Sequence, residues 1–135
     1  DTDKGDVKAT DILMTRLRSL VDETNAGIIM VSHLRKVGQG NNSFEEGGLI
    51  SMDDLRGSGA LKQLSDTIIA LERNQQAEDE EDKNVVRMRV LKCRFTGETG
   101  LTKDPLEWSK EKNRLQEIEF VTRIKEDNTT EESPF

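Results

Sequence analysis

Aromatic side chains are almost missing from this 135-residue chain: there is no tyrosine, one tryptophan (Trp108), and an aromatic content of 4%. Its single cysteine, Cys93, excludes an intramolecular disulfide framework and suits a reducing compartment. With one histidine, His33, and no second cysteine, the usual zinc ligand sets cannot be assembled, and no metal site is expected. No apolar run reaches membrane-spanning length and no signal peptide opens the chain, so no membrane partner is expected. The phosphate-loop pattern GxxxxGK followed by Ser or Thr is also absent. Even an initiator methionine is lacking; the opening DTDKGD reads as a cut within a longer protein.

What the chain does have is charge. Charged residues make up 35% and hydrophobic ones only 33%, so the core is thin for this length. That balance fits part of something larger. The net charge of −7 argues against a free-standing polyanion binder, although local basic patches act independently of the sum.

The order of patterns is that of an α/β protein. From Val7 to Glu23, Ile12, Leu13, Leu17, Leu20 and Val21 recur at helical spacing, with Gly27 near the expected C-terminal cap. The run IIMVSHL that follows has the continuous apolar character of a strand buried on both faces of a parallel sheet. Arg35 to Met52 is rich in Gly, Asn and Ser and reads as loop. GSGALKQLSD predicts a short helix, TIIALERN a buried strand, QQAEDEEDKN a charged turn and VVRMRVLKCRF a long strand. PLEWS, the turn KEKNR and LQEIEFV read as a hairpin. The end, KEDNTTEESPF, has too few apolar groups to offset its ordering entropy, so residues 123–135 are expected to be a disordered acidic tail.

Several residues have the chemistry of a site. His33 lies at the C-terminal end of the predicted strand after Gly27, where open α/β sheets bind ligands; a histidine satisfied by backbone is the plainer reading. Lys92 and Arg94 are two apart in VLKCRFTG and so point to one face of a strand. Two adjacent cations repel unless an anion sits opposite, and this pair suits a phosphate, with arginine as fork and lysine as point charge. A solvated edge strand carrying protective lysines is the alternative. Arg56, Gly57, Ser58 and Gly59 form a loop whose exposed N–H groups can approach a phosphate, with Lys62 and Gln63 one turn on; Gly-Ser-Gly also makes ordinary turns. Trp108 shares a face with Leu106, so packing competes with base stacking.

Taken together, SHL, EEGG, DLRGSGALKQLSDTIIALERNQQ and LKCRFTGETG resemble the helicase half of the primase–helicases of short-tailed bacteriophages, relatives of the hexameric replicative helicases. The resemblance runs from about Thr10 to Leu115. It implies an α/β, RecA-like fold over residues 1–122, the C-terminal part of a P-loop NTPase core with a largely parallel sheet, flanking helices and a final β-hairpin. It implies rings, hexameric as in that family, that hydrolyse nucleoside triphosphate with Mg²⁺ at subunit interfaces while translocating on single-stranded DNA in the host-cell cytoplasm. By the same resemblance Arg94 matches the arginine finger acting in trans, Lys92 stands beside it, and His33 matches the phosphate sensor. Arg73 and Trp108 match the pair that sandwiches the base, and Arg35, Lys36, Arg56, Gly57, Lys62 and Gln63 would grip the DNA backbone. The tail, with Glu131, Glu132 and terminal Phe135, matches the segment that docks on the replicative DNA polymerase. The family's phosphate loop, catalytic glutamate and magnesium-binding aspartate have no counterpart here, so this segment alone is expected to be inactive and to hold no nucleotide or metal tightly. Phe44 replaces a histidine common before EEG, and Gln39, Asn41 and Asn42 stand where relatives are more basic. A free-standing interaction protein that docks on polymerase or on an intact helicase ring is the second reading. A fragment of a RecA-type recombinase is the third.

Overall fold

The computed structural model describes residues 2–35, 43–56 and 59–118. A 23-residue helix, α1 (Thr2–Thr24), is followed in the element order by a 3-10 turn (Met52–Asp54). Helix α2 (Gly59–Leu64), strand β1 (Thr67–Arg73), helix α3 (Glu80–Asn84) and strand β2 (Val85–Cys93) follow. Strands β3 (Gly100–Leu101), β4 (Leu106–Ser109) and β5 (Arg114–Glu117) complete the order.

Helix α1 ends where Asn25 takes a left-handed φ of 53° and its N–H returns to the Val21 carbonyl at 2.9 Å. Gly27, the expected cap, is two residues too late. The helix lies against α2, and Met14 and Leu61 are the buried side chains of the two elements. Of the predicted apolar stripe, Leu17 and Val21 are half-buried, whereas Ile12, Leu13 and Leu20 are exposed. A helix covered by one six-residue neighbour can bury only a narrow stripe.

The sheet has the order β1-β2-β4-β5, with β3 beside β2, and every pairing among the described residues is antiparallel. The largely parallel sheet expected from sequence is not found among the described residues. The difference lies in Ile28–Val31, which belongs to no strand, leaving Ile29 98% and Val31 89% exposed. A strand exists only where a neighbour takes its backbone hydrogen bonds, and no described segment pairs with these four residues. Strands β1 and β2 form the longest ladder, from Arg73↔Val86 to Thr67↔Cys93, with a bulge opposite Ile68/Ile69 that leaves Leu91 without a partner. The β4–β5 hairpin forms as expected, with Asn113 at φ 50° in its turn. Inside the expected charged turn stands α3, preceded by Asp79 and carrying three acidic residues in its first turn and Lys83 in its last, all favourable to the helix dipole.

One face of β1 is closed by residues 43–51. Glu72, only 5% exposed, accepts the Ile50 N–H at 3.0 Å and the Arg89 Nε–H at 2.7 Å. Burial pushes the Glu72 carboxyl up, but the bonds from Arg89 and Ile50 and the charges of Arg89 and Arg87 together hold it below its ordinary value. The EEGG loop completes the closure: Glu46 bridges Asn74, and the Gln75 N–H reaches the Glu45 carbonyl at 2.8 Å. Gly47 sits at φ +81°, where a Cβ would stand 3.2 Å from the Asn74 Cβ, so the site needs glycine on both counts. Among the described residues the buried hydrophobic set is small: Met14, Ile50, Leu61, Ala70, Val86 and Ile118. No helix among the described residues is long and apolar enough to cross a membrane.

Candidate functional site

Two groups of the sequence-nominated residues are gathered by the fold. In the first, Leu34 pairs with Leu55 as an isolated antiparallel bridge. The Arg35 N–H donates to the Asp54 carbonyl at 2.7 Å and the Arg56 N–H to the His33 carbonyl at 3.0 Å. His33, Arg35 and Arg56 are therefore held on two short paired segments, although some twenty residues of chain separate them in sequence. Lys62, reaching back from α2, forms an ion pair with Asp53 in the 3-10 turn. That hydrogen bond, then the Lys62 charge, with a smaller share from Arg35, holds the Asp53 carboxyl below its ordinary value. Lys36 and Gly57, assigned to the same DNA-facing group, lie outside the described residues.

The second group sits where α2, β1 and β2 meet. Lys92 lies in β2, and Arg94 is in the turn just beyond it. Both side chains nevertheless converge on one atom, the Gln63 carbonyl oxygen, which accepts from Lys92 Nζ at 3.2 Å and from an Arg94 Nη2 N–H at 2.7 Å. Lys92 also donates to the Lys62 carbonyl. These carbonyls end α2, where the helix leaves them without partners and where cations are favoured. The anion that such a cation pair requires is Asp66, on the joint between α2 and β1. Its Oδ1 lies 2.9 Å from Arg94 Nη1, and both of its oxygens accept from Arg18 Nη1 of α1 at 2.9 Å. The Asp66 hydrogen bond, with the charges of Asp22 and Asp66, raises the Arg18 guanidinium further above its ordinary value. The Arg94 N–H also meets the Asp66 carbonyl at 2.8 Å.

Sequence reasoning named Lys92 and Arg94 but neither Asp66 nor Arg18. A single sequence carries no signal linking two residues 48 positions apart. The need for an opposing anion was the available clue, and Asp66 directly precedes the apolar run of β1.

Arg73 and Trp108 are not stacked against one another by the ladder. The rows Arg73↔Val86 and Val86↔Leu106 put Arg73 on the same face as Leu106, and hence as Trp108, with β2 between their strands. Arg73 is turned toward the end of α3, donating to the Lys83 carbonyl and, at 3.5 Å, to Asn84 Oδ1. It lines a cavity of about 220 Å³ together with Gly47, Glu72, Asn74 and Arg87. Trp108 pairs with Leu115 in the hairpin and is half-buried. A second cavity, about 280 Å³, shares Asp82, Val85 and Arg87 with the first and adds Met88, Thr102 and Lys103 among others. Neither reaches Lys92 or Arg94. Among the described residues no group of three or more His, Cys, Asp or Glu side chains is placed to hold a metal ion. Glu131, Glu132 and Phe135 of the tail lie outside the described residues.

This arrangement, cations at the end of strand β2 tied to the end of a helix that follows a glycine-bordered segment, stands in a chain of mixed α/β class. The DNA helicase/primase of Enterobacteria phage T3 is 45% identical to the chain over 114 residues, which is 84% of this chain and 19% of that protein. Over that span the chain resembles the helicase region of the bacteriophage primase–helicases, the resemblance its motifs implied. It covers about one fifth of the length of the relative it matches. No protein-family model matches the chain.

Proposed function

We propose that the chain is the C-terminal segment of the helicase region of a phage replicative primase–helicase, part of a RecA-like core whose parallel strands are supplied by other segments of the longer protein. The observation that carries this reading is the 45% identity over 84% of the chain to a protein named DNA helicase/primase. In it, subunits form a ring, hydrolyse nucleoside triphosphate at their interfaces and move along single-stranded DNA. Mg²⁺, which in such enzymes neutralises phosphate charge, and the triphosphate itself would be held mainly outside this segment, which lacks the GxxxxGK phosphate-loop pattern.

Within that reading each nominated residue acts through its own chemistry. Arg94 reaches the γ-phosphate of a neighbouring subunit with a planar, permanently charged fork, and Lys92 adds a point charge. Arg94 is 43% exposed and so is accessible to a partner surface. His33 senses the phosphate and transmits its state through the Leu34↔Leu55 bridge to Arg35 and Arg56. Arg35, Lys36, Arg56, Gly57, Lys62 and Gln63 contact the DNA backbone rather than base edges, as a sequence-indifferent motor requires. Arg73 and Trp108 hold the base from one sheet face. Glu131, Glu132 and Phe135 dock on the polymerase as a flexible anionic tail with one apolar anchor.

The test is Arg94→Ala in the full-length protein. Hydrolysis should fall by roughly a thousandfold or more, the contribution of an arginine finger. Mixing these subunits with subunits whose phosphate loop is disabled should restore part of the rate, because each then supplies what the other lacks. Parent-level hydrolysis by homogeneous Arg94→Ala rings would exclude the role.

A further inference from the structure

We propose that Asp66 is a positioning residue for Arg94, holding its guanidinium ready for the neighbouring subunit's triphosphate and tying it to the end of α2. The inference rests on the finger assignment made above.

The geometry fixes Arg94 from two sides. Nη1 lies 2.9 Å from Asp66 Oδ1, and Nη2 donates to the Gln63 carbonyl at 2.7 Å. A guanidinium has five N–H donors in a rigid plane. An ion pair at one nitrogen and a hydrogen bond at another set the plane and leave further donors for an incoming phosphate. Asp66 is itself prevented from turning, because Arg18 Nη1 engages both of its oxygens at 2.9 Å and the Asp66 carbonyl accepts the Arg94 N–H at 2.8 Å. Without Asp66, Arg94 would have one carbonyl to hold it and two neighbouring cations, Arg18 and Lys92, to repel it. Preorganisation of this kind acts on the reactive step, since a displaced or wandering fork must be ordered each time it is used.

The same bonds join two jobs. Gln63 and Lys62, assigned to DNA, give their carbonyls to Arg94 and Lys92, assigned to the triphosphate. A phosphate that draws the cations outward therefore loosens their hold on the end of α2, whose first residues follow the glycine-bordered segment. Asp66 keeps Arg94 from leaving altogether.

Hydrolysis by the full-length protein in the presence of single-stranded DNA tests the assignment with three variants: Asp66→Asn, Arg94→Ala, and both together. Loss of the ion pair that holds the fork predicts that Asp66→Asn lowers kcat by about tenfold or more, with KM for the nucleotide unchanged within experimental error. On the Arg94→Ala background the same change should have no further effect, because Asp66 acts only through Arg94. Should Asp66→Asn not fold, Asp66→Glu keeps the charge for Arg18 on a longer stem and is compared in the same way. A parent-like kcat for the Asp66 variant beside an impaired Arg94→Ala would overturn the positioning role alone. So would losses that multiply in the double variant, the signature of a structural residue. A parent-like Arg94→Ala would overturn the finger reading and this inference with it.

Discussion

Glu72 shows how a single carboxylate can close one side of a sparse fold. It is the one buried charged residue among those described, and it answers both a backbone N–H and an arginine. Its carboxyl is held below the ordinary glutamate value of 4.5. The stabilisation is therefore fully present above that pH and is lost as pH falls through the depressed folded-state value. Glu72→Gln should lower stability near neutral pH by about 1–3 kcal/mol, and the gap from the parent should shrink on acidification; urea unfolding at several pH values measures both. Gly47→Ala should also destabilise, by about 1 kcal/mol or more, because it combines a left-handed φ with a 3.2 Å approach to Asn74. The same urea series checks it, and parent-like stability would mean the loop is not held as described. Residues of this kind were only partly legible. EEGG was recognisable as a motif, but what Gly47 abuts depends on where β1 ends. Asp66 was invisible as a site residue because its partners come from α1 and from beyond β2.

Secondary structure was legible where local pattern and tertiary partner agree. The β1–β2 ladder follows two β-rich runs joined by a polar stretch, and the β4–β5 hairpin follows its turn. The same logic failed for Ile28–Val31, whose pattern is that of a doubly buried strand but whose partners are not among the described segments. Periodicity reports what a segment needs, not whether a neighbour is present. If the longer protein supplies parallel strands on either side, the amides of residues 28–31 should exchange slowly there and rapidly in this chain alone, as read by hydrogen–deuterium exchange with mass spectrometry. Rapid exchange in both would remove the basis for placing this run in a sheet. Helix α2 offers a second prediction. Its last carbonyls are held by Lys92 and Arg94, so Lys92→Ala should weaken the end of this helix by about 0.3–1 kcal/mol, seen as faster exchange of the amides around Ser65.

For the molecule as a whole, surface left uncovered is as informative as the core. Ile69 and Leu71 of β1 are exposed on one sheet face, as are Ile12, Leu13 and Leu20 on α1. Six buried apolar residues among those described, beside this much exposed apolar surface, are what a segment covered by other surfaces would show, and the chain spans 19% of the DNA helicase/primase it resembles. The central claim is that its cations serve a triphosphate bound chiefly by a neighbouring subunit while the segment before α2 holds DNA. A cryo-electron microscopy structure of the full-length ring with a non-hydrolysable triphosphate and single-stranded DNA measures this directly. The account predicts an Arg94 guanidinium nitrogen within about 3.2 Å of a γ-phosphate oxygen across a subunit interface. An Arg94 side chain facing open solvent, far from every triphosphate in the ring, would contradict it.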